Sequence, residues 1–355
     1  MGAVTSQLAP TRRQAAGYAA AFLGVSYSLR MAADAGTGLH GLIWASPLGW
    51  VEQLQPLTGP HPLALVPVAA FTTALAALAV LLAGRRDAGK GMLPDRNTRA
   101  PRTGLLSGPA GLTVRLSLPA ALGWSAGIAV TAVLIGTVAK AAGATIEGSE
   151  QQVFSRLGVP GGGTAAFSGI AFLILAIVIA AQAASEVNAI RAEEAEGRLD
   201  HVLAAPVSRS RWFAGRLLAG IMALLFSGIA AGIFLWTGEA AQGGGISLPA
   251  ALDAGLNIVP PALFALGAGA LAAGVWSRRA GSVVYVILGW SALIQLAGGF
   301  AAKNHWILDT SLFHQMASAP AVPPDWQVNG ILAGLGLTAM LLGEMAFRHR
   351  DVQGE

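Results

Sequence analysis

Runs of about 20 uninterrupted apolar residues recur along this chain, long enough to cross the hydrocarbon core of a bilayer as helices. Inside that core every backbone N–H and C=O must find a partner within the protein, which leaves helices or a closed barrel. The runs are continuous rather than alternating, so the fold class is all-α, a polytopic helical membrane protein. Eight spans can be drawn, near residues 14–33, 62–83, 119–141, 165–187, 213–236, 250–275, 282–302 and 327–347. The first is the weakest, because Arg30 sits near its end. Composition agrees: 54% of residues are hydrophobic and 11% charged, where soluble domains carry about 25% charged. The mean hydropathy is +0.60. No cysteine is present, which excludes disulfides and thiolate metal sites. The opening stretch, MGAVTSQLAPTRRQ, is not a cleavable signal: the apolar run after it is long and carries no clear cleavage site.

Basic residues set the orientation, because lysine and arginine stay on the cytoplasmic side of short loops. With the N-terminus inside, only Arg30, Lys140, Arg156 and Lys303 fall outside, leaving 18 of the 22 in the cytoplasm. Eight spans then put both termini in the cytoplasm.

Between the fourth and fifth spans lies the one long charged, helix-forming run, Ser185 to Leu218. Glu193, Glu194, Glu196 and Asp200 alternate there with Arg191 and Arg198, and Leu199, Val202 and Leu203 form an apolar stripe at helical spacing. Glu194 and Arg198 stand in the favourable i,i+4 orientation. Gly197 interrupts the helix, while Pro206 and Ser208 mark its end and the next start. The segment suits a short amphipathic helix at the cytoplasmic face.

The pattern EE-x-E-G-R-L-D-x-V-L-A-x-P-V-S-R-x-R-W in this run resembles the coupling segment of type-2 ABC exporter permeases, the antibiotic (tetronasin-like) resistance subgroup in particular. The resemblance implies that residues 188–206 touch a separate ATPase subunit, through Glu193, Glu194, Gly197, Arg198, Leu199, Leu203, Pro206 and Val207. It also implies a bacterial plasma-membrane location and export of an antibiotic or other hydrophobic compound. On this reading the chain is no enzyme and holds no cofactor, ATP being bound and hydrolysed on the partner. Its other surroundings would be the bilayer and either the rest of the permease or a second copy, with no nucleic acid.

An internal repeat bears on domain organisation. Residues 46–87 match 310–351 at a constant offset of 264 (310 − 46): Ser46 and Leu48 meet Thr310 and Leu312, Pro56 meets Pro320, and Arg86-Asp87 meets Arg350-Asp351. Thr11-Arg12-Arg13 similarly resembles Ser277-Arg278-Arg279. Family members of the resembling subgroup carry two six-helix halves. Residues 1–83 are then the last two helices of a first half, 84–118 a cytoplasmic linker with an interfacial element at 108–118, and 119–355 a complete six-helix half. A first coupling segment would lie before Met1.

Other motifs weigh less. Gly84 to Gly91, GRRDAGKG, nearly spells a P-loop, but its last residue is Gly where Ser or Thr must hold magnesium. Gly123-Trp124-Ser125-Ala126-Gly127 fits G-x-S-x-G, yet all six histidines lie in loops or at span ends, so no base stands near the serine in mid-membrane. Gly228 and Gly232 form G-x-x-x-G, a close-packing signal for an internal contact or a dimer face. Pro260 and Pro261 interrupt the sixth span and would kink it, statically or along a transport pathway. Charge within the spans is scarce, limited to Glu186 and Glu344 near cytoplasmic ends and Asp253 near an outer end, which argues against a proton-coupled carrier. His305, Asp309 and His314 are a weak metal set, and 308–318 reads as a short interfacial helix, with Ser46–Leu54 its counterpart. The rivals to an ATP-driven exporter are a secondary transporter of another fold, a membrane protease, and a non-functional permease fragment.

Overall fold

The computed structural model describes residues 1–34, 37–55, 62–85, 108–145, 163–204, 207–243, 245–276, 279–301 and 305–350. Every regular element among them is helical. The chain divides into two compact units, Met1–Arg102 and Thr103–Glu355.

The first unit contains α1 (Gly2–Leu8), α2 (Arg12–Asp34), a 3₁₀ stretch (Thr37–Ala45), α3 (Pro47–Glu52), a short 3₁₀ turn (Pro62–Ala64) and α4 (Leu65–Ala83). Ser46 caps α3, its hydroxyl accepting from Leu48 N, and Pro47 fills the first helical position. Arg30 is bound by Glu52 through two hydrogen bonds of 2.6 Å, from Nε to Oε2 and from Nη2 to Oε1. Phe71 of α4 stacks with Phe22 of α2 and meets Trp50 of α3 edge-on.

The second unit is built from α5 (Pro109–Thr145), α6 (Gly163–Ala195), α7 (Arg198–Leu203), α8 (Arg209–Ala241), α9 (Leu248–Asn257), α10 (Val259–Val275), α11 (Ala280–Ala301), α12 (His305–Leu308) and α13 (Trp326–His349). Its interior lies around α6 and α10, with Leu175, Ile179, Ala183, Val187, Ala262 and Leu266 fully buried. Lipid tails are as apolar as these side chains, so burial from water does not hold such helices together; close packing does. Glycine makes that packing possible at several seams. A Cβ on Gly136 of α5 would lie 2.4 Å from Leu235 O of α8, and one on Gly238 would lie 2.4 Å from Val133 O. A Cβ on Gly255 of α9 would sit 2.4 Å from Gly228 O of α8. On α10, Cβ atoms on Gly267 and Gly274 would each come within 2.2 Å of the α13 carbonyls of Gly336 and Gly343. The Gly228/Gly232 motif therefore serves an internal contact.

Seven stretches among the described residues are long and apolar enough to span a membrane. The expected first span is the exception. Its helix forms, at 23 residues, but Arg12, Arg13, Gln14, Tyr18, Tyr27, Ser28 and Arg30 dilute its apolar character. The parity that placed both termini on one side rests on that eighth crossing. Residues 108–118 are not a separate element in the backbone: from Pro109 the helix runs without interruption through Pro119 to Thr145. The short helix expected over 308–318 is also corrected, since only His305–Leu308 is helical and turns follow. Most of the near-P-loop and of the 84–118 linker lies outside the described residues.

The repeat is visible as hydrogen bonding within each unit. Ser46 Oγ donates to Ser26 O at 2.7 Å and accepts from Leu48 N. Ser311 Oγ donates to Ser291 O at 2.9 Å and accepts from Phe313 N. Trp50 Nε1 donates to Trp44 O, and Gln315 Nε2 to Asp309 O, each across six positions. Each of these correspondences has an offset of 265 (311 − 46), one more than the alignment. Ser46 therefore corresponds to Ser311 rather than Thr310, and the one-residue difference is absorbed before Pro56.

Candidate functional site

At the end of α6 the chain makes an elbow. Gly197 takes φ +67, the left-handed conformation that L side chains resist, and its N–H donates to Glu194 O at 3.0 Å. The helix stops at Ala195, turns, and restarts as α7 at Arg198. Ser208 then caps α8, its hydroxyl accepting from Arg211 N.

This break undoes one expected contact. Glu194 and Arg198 are four apart but belong to different helices, so they do not pair. Arg198 instead pairs with Glu196 on the outer surface. Glu194 points inward, 4% exposed, and binds Arg350 just past the end of α13. One nitrogen, Nη2, reaches both carboxylate oxygens, at 2.7 and 2.8 Å. Arg209 Nη1 donates to Arg350 O at 2.9 Å, and the Arg350 guanidinium lies 5.4 Å from the Phe347 ring centre. Phe347 stacks on Phe213 at 4.8 Å and leans on Trp212. Glu193 makes the other inward tie, to Arg216 Nη2 of α8 at 3.5 Å. Arg216 is itself buried and donates from Nη1 to Ser117 Oγ of α5 at 2.6 Å. Three helices thus meet the last turn of α6: α5 and α8 through Arg216, and α13 through Arg350.

The remaining expected positions divide between faces. Leu199 is buried at 1% and anchors α7. Val207 is partly buried against the core. Arg198 and Glu196 have more than half of their side chains exposed, and Asp200 is exposed beside them. Pro206 lies outside the described residues, as does the side chain of Leu203. The elbow therefore presents a charged outer face on a base held by ion pairs.

The interruption at Pro260 and Pro261 is a break rather than a kink. α9 ends at Asn257, Ile258 forms the joint, and both prolines stand in the first turn of α10. Asn257 Nδ2 donates to Ala317 O at 2.7 Å, and Asn329 Nδ2 of α13 donates to Asn257 Oδ1 at 2.9 Å. These asparagines escaped the sequence reading, as did Glu239, which is 1% exposed and accepts from Ser168. Their only signal was a lone polar letter in an apolar run. Ser125 of the G-x-S-x-G motif faces Ser227 Oγ at 3.0 Å, a neutral hydroxyl pair without a base. His314 Nε2 is 4.0 Å from Asp309 Oδ1, and no metal-holding group of three is found among the described residues.

Residues 106–348 match the family described as the multidrug efflux system permease Rv1217c, C-terminal domain, a range that falls within the second unit. The chain belongs to this permease family. Along nearly its whole length, 99%, it is 31% identical to the multidrug efflux system permease protein Rv1217c of Mycobacterium tuberculosis. The chain spans 65% of that relative's length. With seven apolar stretches of spanning length, this permease-family chain is a multi-pass membrane protein.

Proposed function

We propose that the chain is the membrane-spanning permease component of an ATP-driven ABC exporter, and that it moves a hydrophobic or amphiphilic compound, antibiotics included, out of a bacterial cell. The relative's description as part of a multidrug efflux system supports the export of such compounds. The observation that carries the coupling is the elbow: exposed Glu196, Arg198 and Asp200 around a glycine turn, on a base tied to three helices. A separate ATPase subunit docks on that outer face. Gly197 and Leu199 shape and seat the elbow, while Glu193 and Glu194 transmit the push to α8, α5 and α13 without touching the partner. Pro260 and Pro261 bear on the pathway by permitting the break at Ile258. The rest of the permease, or a second copy, completes the pathway.

Co-purification with a co-expressed ABC ATPase subunit tests this reading. A Glu196→Lys, Arg198→Glu, Asp200→Lys variant should fold normally and lose the ATPase, with drug efflux lost in cells. Unchanged association would remove the coupling role.

A further inference from the structure

α5 and α8 run side by side in parallel, and at the elbow end of the pair they leave a groove of about 470 Å³. That volume is within the range of about 300–1,000 Å³ typical of small-molecule sites. Its walls are Leu118 and Leu122 on α5 and Leu218, Met222 and Phe226 on α8, all about half exposed on the outer surface of the second unit. Gly215 lines the floor without a side chain; a Cβ there would stand in ordinary contact, 3.6 Å from Thr113 Oγ1.

The groove is apolar almost throughout. Thr113 and Ser117 at its elbow end are buried, and the Ser117 hydroxyl is taken by Arg216. From Gly215 to Phe226 the α8 wall is about 16 Å long at ~1.5 Å per residue, half of the ~30 Å hydrocarbon core. The groove therefore has the reach of one leaflet. Arg211 continues the same α8 face one turn below Gly215 and is exposed. Its side chain is long enough to carry its charge to headgroup depth while its stem lies on apolar surface.

The geometry points to this groove as a binding site for an anionic phospholipid of the elbow-side leaflet, with one acyl chain between α5 and α8 and the phosphate at Arg211. A tail fits the apolar upper groove. The headgroup then lies beyond the lower end, where the exposed Arg211 meets its charge, as basic residues beside membrane helices do. The site sits over the Ser117–Arg216–Glu193 chain, so an occupant would press on the base of the elbow. The binding itself does not depend on the ATPase reading.

The full chain contains no cysteine, so Met222→Cys gives one unique labelling site in the groove. With a fluorophore there, in bilayers of mixed lipid, quenching by brominated phosphatidylglycerol should occur at mole fractions well below those needed with brominated phosphatidylcholine. The preference should fall about fivefold on Arg211→Glu, the effect expected of one arginine near a charged headgroup. Ala219→Trp should abolish retention of phosphatidylglycerol through purification, read by native mass spectrometry on protein that melts as wild type. Equal quenching by the two lipids would overturn the proposal, as would a preference unmoved by Arg211→Glu. A zero-length cross-link from Met222→Cys to another protein that excludes both lipids would overturn it too, making the groove a protein interface.

Discussion

Arg350 and Glu194 lie 156 positions apart and meet in a single clamp, one Nη2 on both carboxylate oxygens. It locks the end of the last helix to the last turn before the elbow. The aromatic stack of Trp212, Phe213 and Phe347 packs beside it, so charge and packing secure the same corner.

Arg350→Ala should therefore destabilise the second unit by about 3 kcal/mol, because it takes the guanidinium from a carboxylate that is 4% exposed. Thermal unfolding of the detergent-solubilised protein reads this. Glu194→Gln with Arg350→Gln should recover part of the loss, since the two charges of the pair are then removed together.

Gly274→Val should cost more than a typical overpacking change of about 1–3 kcal/mol, because the atom it meets at 2.2 Å is a backbone carbonyl that cannot rotate away. Gly334→Ala, on the same α13 but with open space around it, should be neutral or slightly stabilising. Melting curves of the two variants separate the cases.

Ser46→Ala and Ser311→Ala should behave alike. Each removes a hydroxyl that bonds the carbonyl 20 positions earlier and caps the turn after it, and each should cost about 1–2 kcal/mol locally. Limited proteolysis should open residues 37–55 in the first variant and 305–318 in the second, with little crossover.

On the proposed export role, Ser125→Ala should leave efflux intact and cost no more than about 1 kcal/mol, since the serine's partner is another hydroxyl. A fluorophosphonate probe should fail to label the wild type. Labelling at Ser125 would reopen the protease reading.

Sequence legibility followed the range of the interaction. Apolar runs announce spans because every residue in them reports the same environment, and seven of eight reached the length and apolarity needed. α2 did not, because Arg12, Arg13, Gln14, Tyr18, Tyr27 and Arg30 dilute it; the Glu52 that binds Arg30 is a partner no sliding window sees. Gly197 was legible as a stop because only glycine takes its φ cheaply. What that stop did to Glu194 was not: the i,i+4 rule holds only while the helix continues. The true partner, Arg350, stands 156 positions away at the end of another helix, where no local rule reaches. The repeat was legible, but its register slipped by one because Ser46-Pro47-Leu48 can be laid against Thr310 or Ser311 equally well until the hydroxyl bonds are seen.

Close glycine contacts tie α5 to α8, α8 to α9 and α10 to α13, while Gly228 of α8 also meets Val259 Cγ2 of α10. α9 and α10 are consecutive in the chain, with Ile258 between them. The hydrogen bond from Asn329 to Asn257 staples α13 to the end of α9, so the helix that packs along α10 also bridges the joint at Ile258 from outside.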